Sequence, residues 1–368
     1  MDVGVTELNS IKGKVLKVFH HTVACLGVGS LRDGEYDGKP CLVKWFSKED
    51  LIKIGCRMQL YRNLRDHLLQ VTPGEQLLWP VDISEVRDEA FGYVTYHDLS
   101  SYRSLADIME STTNYENCEA IVNAASCLVS AFAKIRQRNY YFLHMTEEDI
   151  FIHPKSGRLM ITNVEFLRKK TEKIEPPSEE KEEWKPTVVS RLFPPVCIKK
   201  ERIPNEHSDY YLLSVLLFEI LYLNHPLEGH HAVMYPVMGE KEKTEVYGIR
   251  PCFVYDKTDS SNRPVRGIHI NMRIRRNMYP RYIQEIFSRV FSQKALKKGL
   301  VYSAVENWDR LFERLRKHIA VCPYCGMDYF QQSGKHLICR KCQKPLVSPE
   351  IEACDSAERT DDLGWTDG

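Results

Sequence analysis

The chain has 368 residues, 43% of them apolar and 27% charged, with a net charge of +1. That length can bury a sizeable core, one large domain plus something small, and the near-neutral balance points away from nucleic acid and from a membrane surface as partners. The N-terminal Met-Asp-Val-Gly-Val-Thr-Glu-Leu has no basic segment leading into an apolar one, so no secretory signal is read there. The longest apolar run, Tyr210 to Leu223, is interrupted by Ser214 and Glu219 and is too short to span a bilayer. A cytoplasmic protein with reduced thiols is expected.

In chain order, the first part is strand-rich. Val15 to Phe19, Gly34 to Tyr36, Pro40 to Phe46, Trp79 to Val81 and Phe91 to Tyr96 are short segments of β-branched and aromatic residues set off by Gly, Pro and charge. Lys48 to Leu69 places Leu51, Ile54, Leu60, Tyr61, Leu64 and Leu68 at roughly helical spacing. The remainder reads mostly as helix, notably Glu119 to Arg138, Tyr210 to Leu223, Arg281 to Phe291 and Ala304 to Ala320. Between the sheet and the buried helix lies Phe142 to Phe166, a strand hairpin, followed by Lys169 to Lys185, whose Glu, Lys and Pro suit an exposed loop. From Glu350 onward the chain is acidic and poor in apolar residues, which predicts a disordered tail.

Two features carry chemistry on residue type and spacing alone. Cys322-Pro-Tyr-Cys325 and Cys339-Arg-Lys-Cys342 form two Cys-x-x-Cys knuckles a hairpin apart, the pattern of a closed, structural Cys₄ zinc site. A unit this small cannot bury enough core unaided, so the metal supplies much of its folding energy. The other eight of the twelve cysteines are scattered through apolar segments as core thiols. Lys44, in Pro-Cys-Leu-Val-Lys-Trp-Phe, is either a surface residue of an edge strand or a phosphate-pairing lysine. Gly27 and Gly29 offer a hairpin turn or the first two glycines of a phosphate-covering loop, with Arg32 where a third would fall. The basic run Arg273, Arg275, Arg276 and Arg281 reads as a solvated face. The pairs His20–His21 and His230–His231 lack companion ligands at a useful spacing.

A family resemblance joins these pieces. Phe91-Gly-Tyr-Val94, Tyr102-Arg-Ser-Leu105, Phe218-Glu-Ile-Leu221, Asn224-His-Pro-Leu-Glu-Gly229, Ser261-Asn-Arg-Pro-Val265, Tyr279-Pro280, Ile286-Phe-Ser-Arg-Val-Phe291 and the Trp308 helix running into Cys322 resemble a group of bacterial protein kinases that end in a zinc ribbon. The similarity runs from about Gly38 to Cys342. It implies an α+β, two-lobed protein-kinase-like fold: an N-lobe over 1–98, a helical C-lobe over 99–320, a zinc ribbon over 321–348 and the acidic tail over 349–368. It also implies that Lys169 to Lys185 is an activation segment.

Carried onto the hairpin, the resemblance exposes departures. Anchored on Ile150-Phe-Ile152, His144 falls at the catalytic Asp position, Asp149 at that of the metal-binding Asn, and Asn163 at that of the magnesium-chelating Asp. An imidazole does not replace the anionic partner of a substrate hydroxyl, and loss of a positioned base costs about 10²- to 10⁴-fold in rate. Asp149 and Asn163 read either as an exchanged carboxylate–amide pair that still serves magnesium, or as drift, with Asp149 merely capping a turn. Val196 stands where the family has Glu at the end of the activation segment, and Arg57 or Gln59 where a Glu partner for Lys44 is expected. Asp209 matches the Asp that opens the buried helix and pins the hairpin backbone.

The leading expectation is therefore a regulatory or scaffolding pseudokinase in signalling, holding structural zinc. ATP with Mg or Mn could still bind through Gly27, Gly29, Lys44, Asp149 and Asn163. The alternatives are an active Ser/Thr kinase that transfers the γ-phosphate to protein, and an enzyme that transfers another part of ATP. The resemblance implies a protein partner or substrate, with phosphatase or von Willebrand A-type proteins as candidates.

Overall fold

The protein is described from a computed structural model, which covers residues 4–55, 57–111, 115–170, 190–298, 305–332 and 337–346. Most of the expected activation segment and the whole acidic tail lie outside the described residues.

The N-lobe is an antiparallel sheet of β1 (Val5–Asn9), β2 (Val15–Cys25), β3 (Ser30–Tyr36), β4 (Lys39–Phe46), β5 (Asp82–Ile83) and β6 (Phe91–Thr95) in the order β1-β2-β3-β4-β6-β5. Its two edges meet. Ser10 bridges Ser84, Ile11 N donates to Ile83 O at 2.9 Å, and Glu85 N donates to Asn9 O at 2.8 Å, so the sheet curls into a nearly closed barrel with few exposed backbone groups. Leu8, Leu16, Val18, Val43, Trp45 and Val94 fill it.

The helical span after β4 is broken in two, α1 (Lys48–Ile54) and α2 (Arg57–Leu68). The break has a local cause. Ser47 caps α1 through a reciprocal box with Asp50, and Gly55, at φ 70°, ends it in the left-handed conformation that glycine adopts without a Cβ clash.

The C-lobe begins with β7 (Arg103–Ser104), α3 (Leu105–Glu110) and α4 (Cys118–Gln137), then the hairpin region with β8 (Tyr140–Phe142), β9 (Ile150–Ile152), β10 (Leu159–Ile161) and β11 (Leu167–Lys169). It continues through α5 (Pro195–Ile198), α6 (Ser208–Tyr222), α7 (His230–Val233), α8 (Glu240–Lys243), α9 (Ile270–Arg276), α10 (Arg281–Val290), α11 (Gln293–Lys298) and α12 (Val305–Lys317). Apolar nearly all round, α6 is buried against α4, α9 and α10, while α12 packs on the other side of α4. By length and composition α4 could cross a membrane, but most of it is buried within this lobe. Asn117 caps it by accepting from Ala120 N at 2.7 Å, and Lys134 and Arg136 complement the dipole of its last turn.

The ribbon consists of two hairpins, β12 (Ile319–Val321) with β13 (Asp328–Phe330) and β14 (Leu337–Ile338) with β15 (Pro345–Leu346). Each tip carries one Cys-x-x-Cys pair followed by a left-handed residue, Gly326 at φ 72° and Gln343 at φ 58°.

Candidate functional site

Lys44 lies on β4 between Leu31 of β3 and Tyr93 of β6, and is fully buried. The surface-lysine reading is thereby excluded. Its Nζ donates to Glu165 Oε1 at 2.6 Å and to the Thr162 carbonyl at 3.0 Å, with Asp149 Oδ1 at 3.9 Å. Tyr93 Oη donates to the same Thr162 carbonyl at 2.8 Å. The partner of Lys44 is thus Glu165, two residues after Asn163, and it does not come from the helix after β4. Burial pushes the Glu165 carboxyl up to about 7 despite the ammonium beside it, which acts to lower it.

Helix α2 clamps this segment. Asn63 Nδ2 donates to the carbonyls of Glu165 and Leu167, both at 2.7 Å, and His67 Nε2 donates to Val164 O at 3.0 Å. Burial lowers the His67 imidazole to about 4, so the ring is neutral with its proton on Nε2, stacked on Trp79 at 4.5 Å.

The remaining hairpin residues are held by the hairpin itself. Asp149 Oδ2 accepts from Thr146 N and Thr146 Oγ1, both at 2.9 Å, capping the turn at Glu147–Asp149. Asn163 Nδ2 donates to His144 O at 2.5 Å. Asp149 Oδ1, Asn163 Oδ1 and Glu165 Oε2 are buried without a hydrogen-bond donor among the described residues. All three are hard oxygens of the kind that magnesium takes. A Glu partner is what the kinase resemblance expects of Lys44, but here it comes from the segment after Asn163, and the ammonium it holds with the Thr162 carbonyl is fully buried.

The glycine turn comes down onto the hairpin. A Cβ at Gly27 would lie 2.2 Å from Thr146 Oγ1, and one at Gly29, at φ 77°, would lie 2.5 Å from Trp45 O. Gly29 is required by its backbone angle and Gly27 by the approach of Thr146. Between this turn, β4 and the hairpin strands, Leu31, Leu42, Leu78, Leu99, Phe151 and Met160 form a closed apolar cluster, with Leu26 packed against it.

A cleft of about 450 Å³ remains on the other side of the turn, lined in part by Gly27, Lys53, His144, Thr146, Glu148 and Arg191. Lys44, Asp149 and Asn163 do not line it. At its floor the Arg191 guanidinium meets Glu147 Oε1 at 2.7 and 2.8 Å and also pairs with Glu228, which accepts from the Tyr247 hydroxyl. Burial acts to raise the Glu228 carboxyl, but Arg191 and the Tyr247 hydroxyl outweigh it and hold the group below its usual range. Burial raises Glu219 beside them well above its own. This cluster was not anticipated from sequence, although Glu228 sits in the Asn224–Gly229 stretch that carries the resemblance.

Asp209 opens α6 and its Oδ1 accepts from Phe142 N at 3.2 Å, joining the central helix to the start of the hairpin.

In the ribbon, the four Sγ atoms of Cys322, Cys325, Cys339 and Cys342 lie within 4.8 Å of one another, with Cys322–Cys342 at 3.7 Å and Cys325–Cys339 at 3.5 Å. Thiolates about 2.3 Å from one tetrahedral zinc are about 3.8 Å apart, so the cluster fits that ion.

Lobe order, curled sheet, hairpin and helical body together define a protein-kinase-like fold carrying a C-terminal Cys₄ cluster. No protein-family model matches the chain, and no curated protein matches it by sequence. Among solved structures, that of vaccinia related kinase 3 aligns with 86% of this chain and 92% of its own, at a TM-score of 0.52 and 15% identity. At that identity the likeness is one of fold.

Proposed function

We propose that the protein is a pseudokinase: a cytoplasmic signalling scaffold with a protein-kinase fold that neither binds ATP productively nor transfers phosphate. The observation that carries this reading is the buried Lys44–Glu165 pair. A kinase lysine serves catalysis by pairing nucleotide phosphates. Here Glu165, two residues after Asn163 and in place of the expected helix Glu, holds the ammonium together with the Thr162 carbonyl, and Lys44 is fully buried and does not line the cleft beside the glycine turn. The cleft beside the glycine turn is not lined by Lys44, Asp149 or Asn163, so ATP with Mg or Mn bound there would not meet the residues expected to hold it.

His144 supports the same reading, since its ring packs at 5.0 Å from Phe166 and no carboxylate stands at that position to orient a hydroxyl. The retained parts, Asp209 on the hairpin backbone and the zinc-type ribbon, serve shape, which suits a protein that acts by binding others. The partner we propose is a protein, with phosphatase and von Willebrand A-type signalling proteins of a bacterial system as the candidates that the sequence resemblance suggests.

The test is incubation with ATP labelled at the γ- or α-phosphate and Mg²⁺ or Mn²⁺. No transfer above background is expected from either label. Robust γ-label incorporation that disappears in Lys44→Ala would make the protein an active kinase, and α-label transfer would make it a different ATP-dependent transferase.

A further inference from the structure

A smaller cavity, of about 190 Å³, lies on the C-lobe with no hairpin residue in its lining, where the end of α6 and the segment 253–257 meet α9 and α10. Its inner wall is aromatic and buried: Tyr222, Phe253 and Phe287 are 1% exposed and Tyr255 is 8% exposed. The Tyr255 hydroxyl donates to Met272 O at 3.0 Å, whereas the Tyr222 hydroxyl has no hydrogen-bond partner among the described residues. The rim is cationic. Lys257, Arg276 and Arg281 are exposed there, against Glu285 as the one carboxylate of the lining. Arg281 Nε donates to Glu285 Oε1 at 2.8 Å, which leaves Lys257 and Arg276 without an ion-pair partner among the described residues. Asp256, beside Lys257 in sequence, is outside the lining, and its Oδ1 accepts from Thr258 N, Thr258 Oγ1 and Asp259 N.

Arg276 is already placed. Its guanidinium lies 4.3 Å from the centroid of the Tyr255 ring, and its carbonyl accepts from Gln284 Nε2 at 3.0 Å, tying the end of α9 to α10. A stacked guanidinium has less freedom to lose on gripping a ligand than a free surface arginine has. Burial raises the Tyr255 hydroxyl while Arg276, Arg263 and Arg273 act to lower it, so further positive charge surrounds the same ring. Arg276 and Arg281, which the sequence suggests are parts of a solvated basic face, are thus gathered round a recess with an aromatic wall.

We infer that this recess binds a single phosphomonoester, gripped by the Arg276 fork and the Lys257 ammonium, with the Tyr222 hydroxyl as a further donor. A phosphomonoester carries about two negative charges near neutral pH and three acceptor oxygens, which match two unpaired cations and a free donor; a carboxylate brings only one charge. The cavity is smaller than the about 300–1,000 Å³ of pockets that enclose a drug-sized ligand, so it takes a phosphate on a short stalk and leaves no room to enclose a nucleotide. Two sources share that chemistry, a phosphorylated serine or threonine of another protein and a small phosphorylated metabolite. The inference is independent of whether the hairpin region holds ATP.

The test titrates the full chain near neutral pH with three probes: a Gly-Ala-phosphoserine-Ala-Gly peptide, the same peptide with glutamate in place of phosphoserine, and glucose 6-phosphate. At least one phosphate probe should bind at least tenfold more tightly than the glutamate peptide, and its affinity should fall as salt is raised. Tighter binding of the phosphoserine peptide assigns the site to a phosphorylated protein, and tighter binding of glucose 6-phosphate assigns it to a metabolite. Arg276→Ala and Lys257→Ala should each weaken the better probe at least tenfold, and Tyr222→Phe should weaken it severalfold. Circular dichroism of each variant checks the fold; Lys257 is exposed, so its variant decides the matter should Arg276→Ala disturb the stack on Tyr255. No binding of either phosphate probe, equal binding of the glutamate peptide, or binding indifferent to both Arg276→Ala and Lys257→Ala would overturn the inference.

Discussion

Lys44 and Glu165 are a buried ion pair, and such pairs behave asymmetrically. Removing one partner leaves an uncompensated buried group and costs about 3–5 kcal/mol, whereas replacing both by apolar residues of similar volume is neutral or stabilising by about 1–4 kcal/mol. Lys44→Ala should therefore lower stability to denaturant sharply, while Lys44→Met combined with Glu165→Leu should restore it. If Lys44→Ala left the unfolding midpoint unchanged, the pair would not be structural. Glu165 also makes stability depend on pH. Its folded pKa, about 7, is raised above the ordinary 4.5. Its contribution is therefore fully present below about 4.5 and lost as pH rises through 7. The stability of the parent protein relative to Glu165→Gln should fall between those pH values and level off above them, and a difference that rose over this interval would contradict the burial of Glu165.

At the scale of elements, the ribbon and its seat on the C-lobe are coupled. Arg340 reaches Ile274 O, Gln332 donates to Asn277 O at 2.8 Å, and Asp328 accepts from the first turn of α4. Chelation, or Cys339→Ser, should release one zinc per chain and unfold the ribbon. Amide exchange should then speed up in the ribbon and in α9 while β4 keeps its protection; fresh protein without zinc would refute the metal assignment. The ribbon was legible because its information is local, four cysteines at fixed spacing. Lys44 and Asp209 were legible as residues but their partners were not. Asn163-Val164-Glu165-Phe166 looks in sequence like the end of an apolar strand, and only the fold carries Glu165 across to β4, 121 residues away. A charged residue inside such an apolar run was the available signal. The split between α1 and α2 was similarly marked by Gly55, while β1 and the barrel closure through Ser10 and Ser84 depend on long-range pairing that no local pattern reports.

At the scale of the molecule, the framework is that of a protein-kinase-like fold. The helical body, the hairpin anchored by Asp209 and the ribbon form the supporting parts, and on the proposed reading the chain's own side chains occupy the region that a nucleotide would need. If Glu165 is what fills the place of the phosphates, replacing it with glycine should free Lys44 and leave room beside it. The most direct measurement is the thermal stability of the parent protein and of Glu165→Gly, each titrated with ATP and Mg²⁺ or Mn²⁺. A self-filled site predicts no rise in the parent's Tm at any nucleotide concentration and a concentration-dependent rise in Glu165→Gly. A saturable rise in the parent protein, abolished by Lys44→Met, would contradict it.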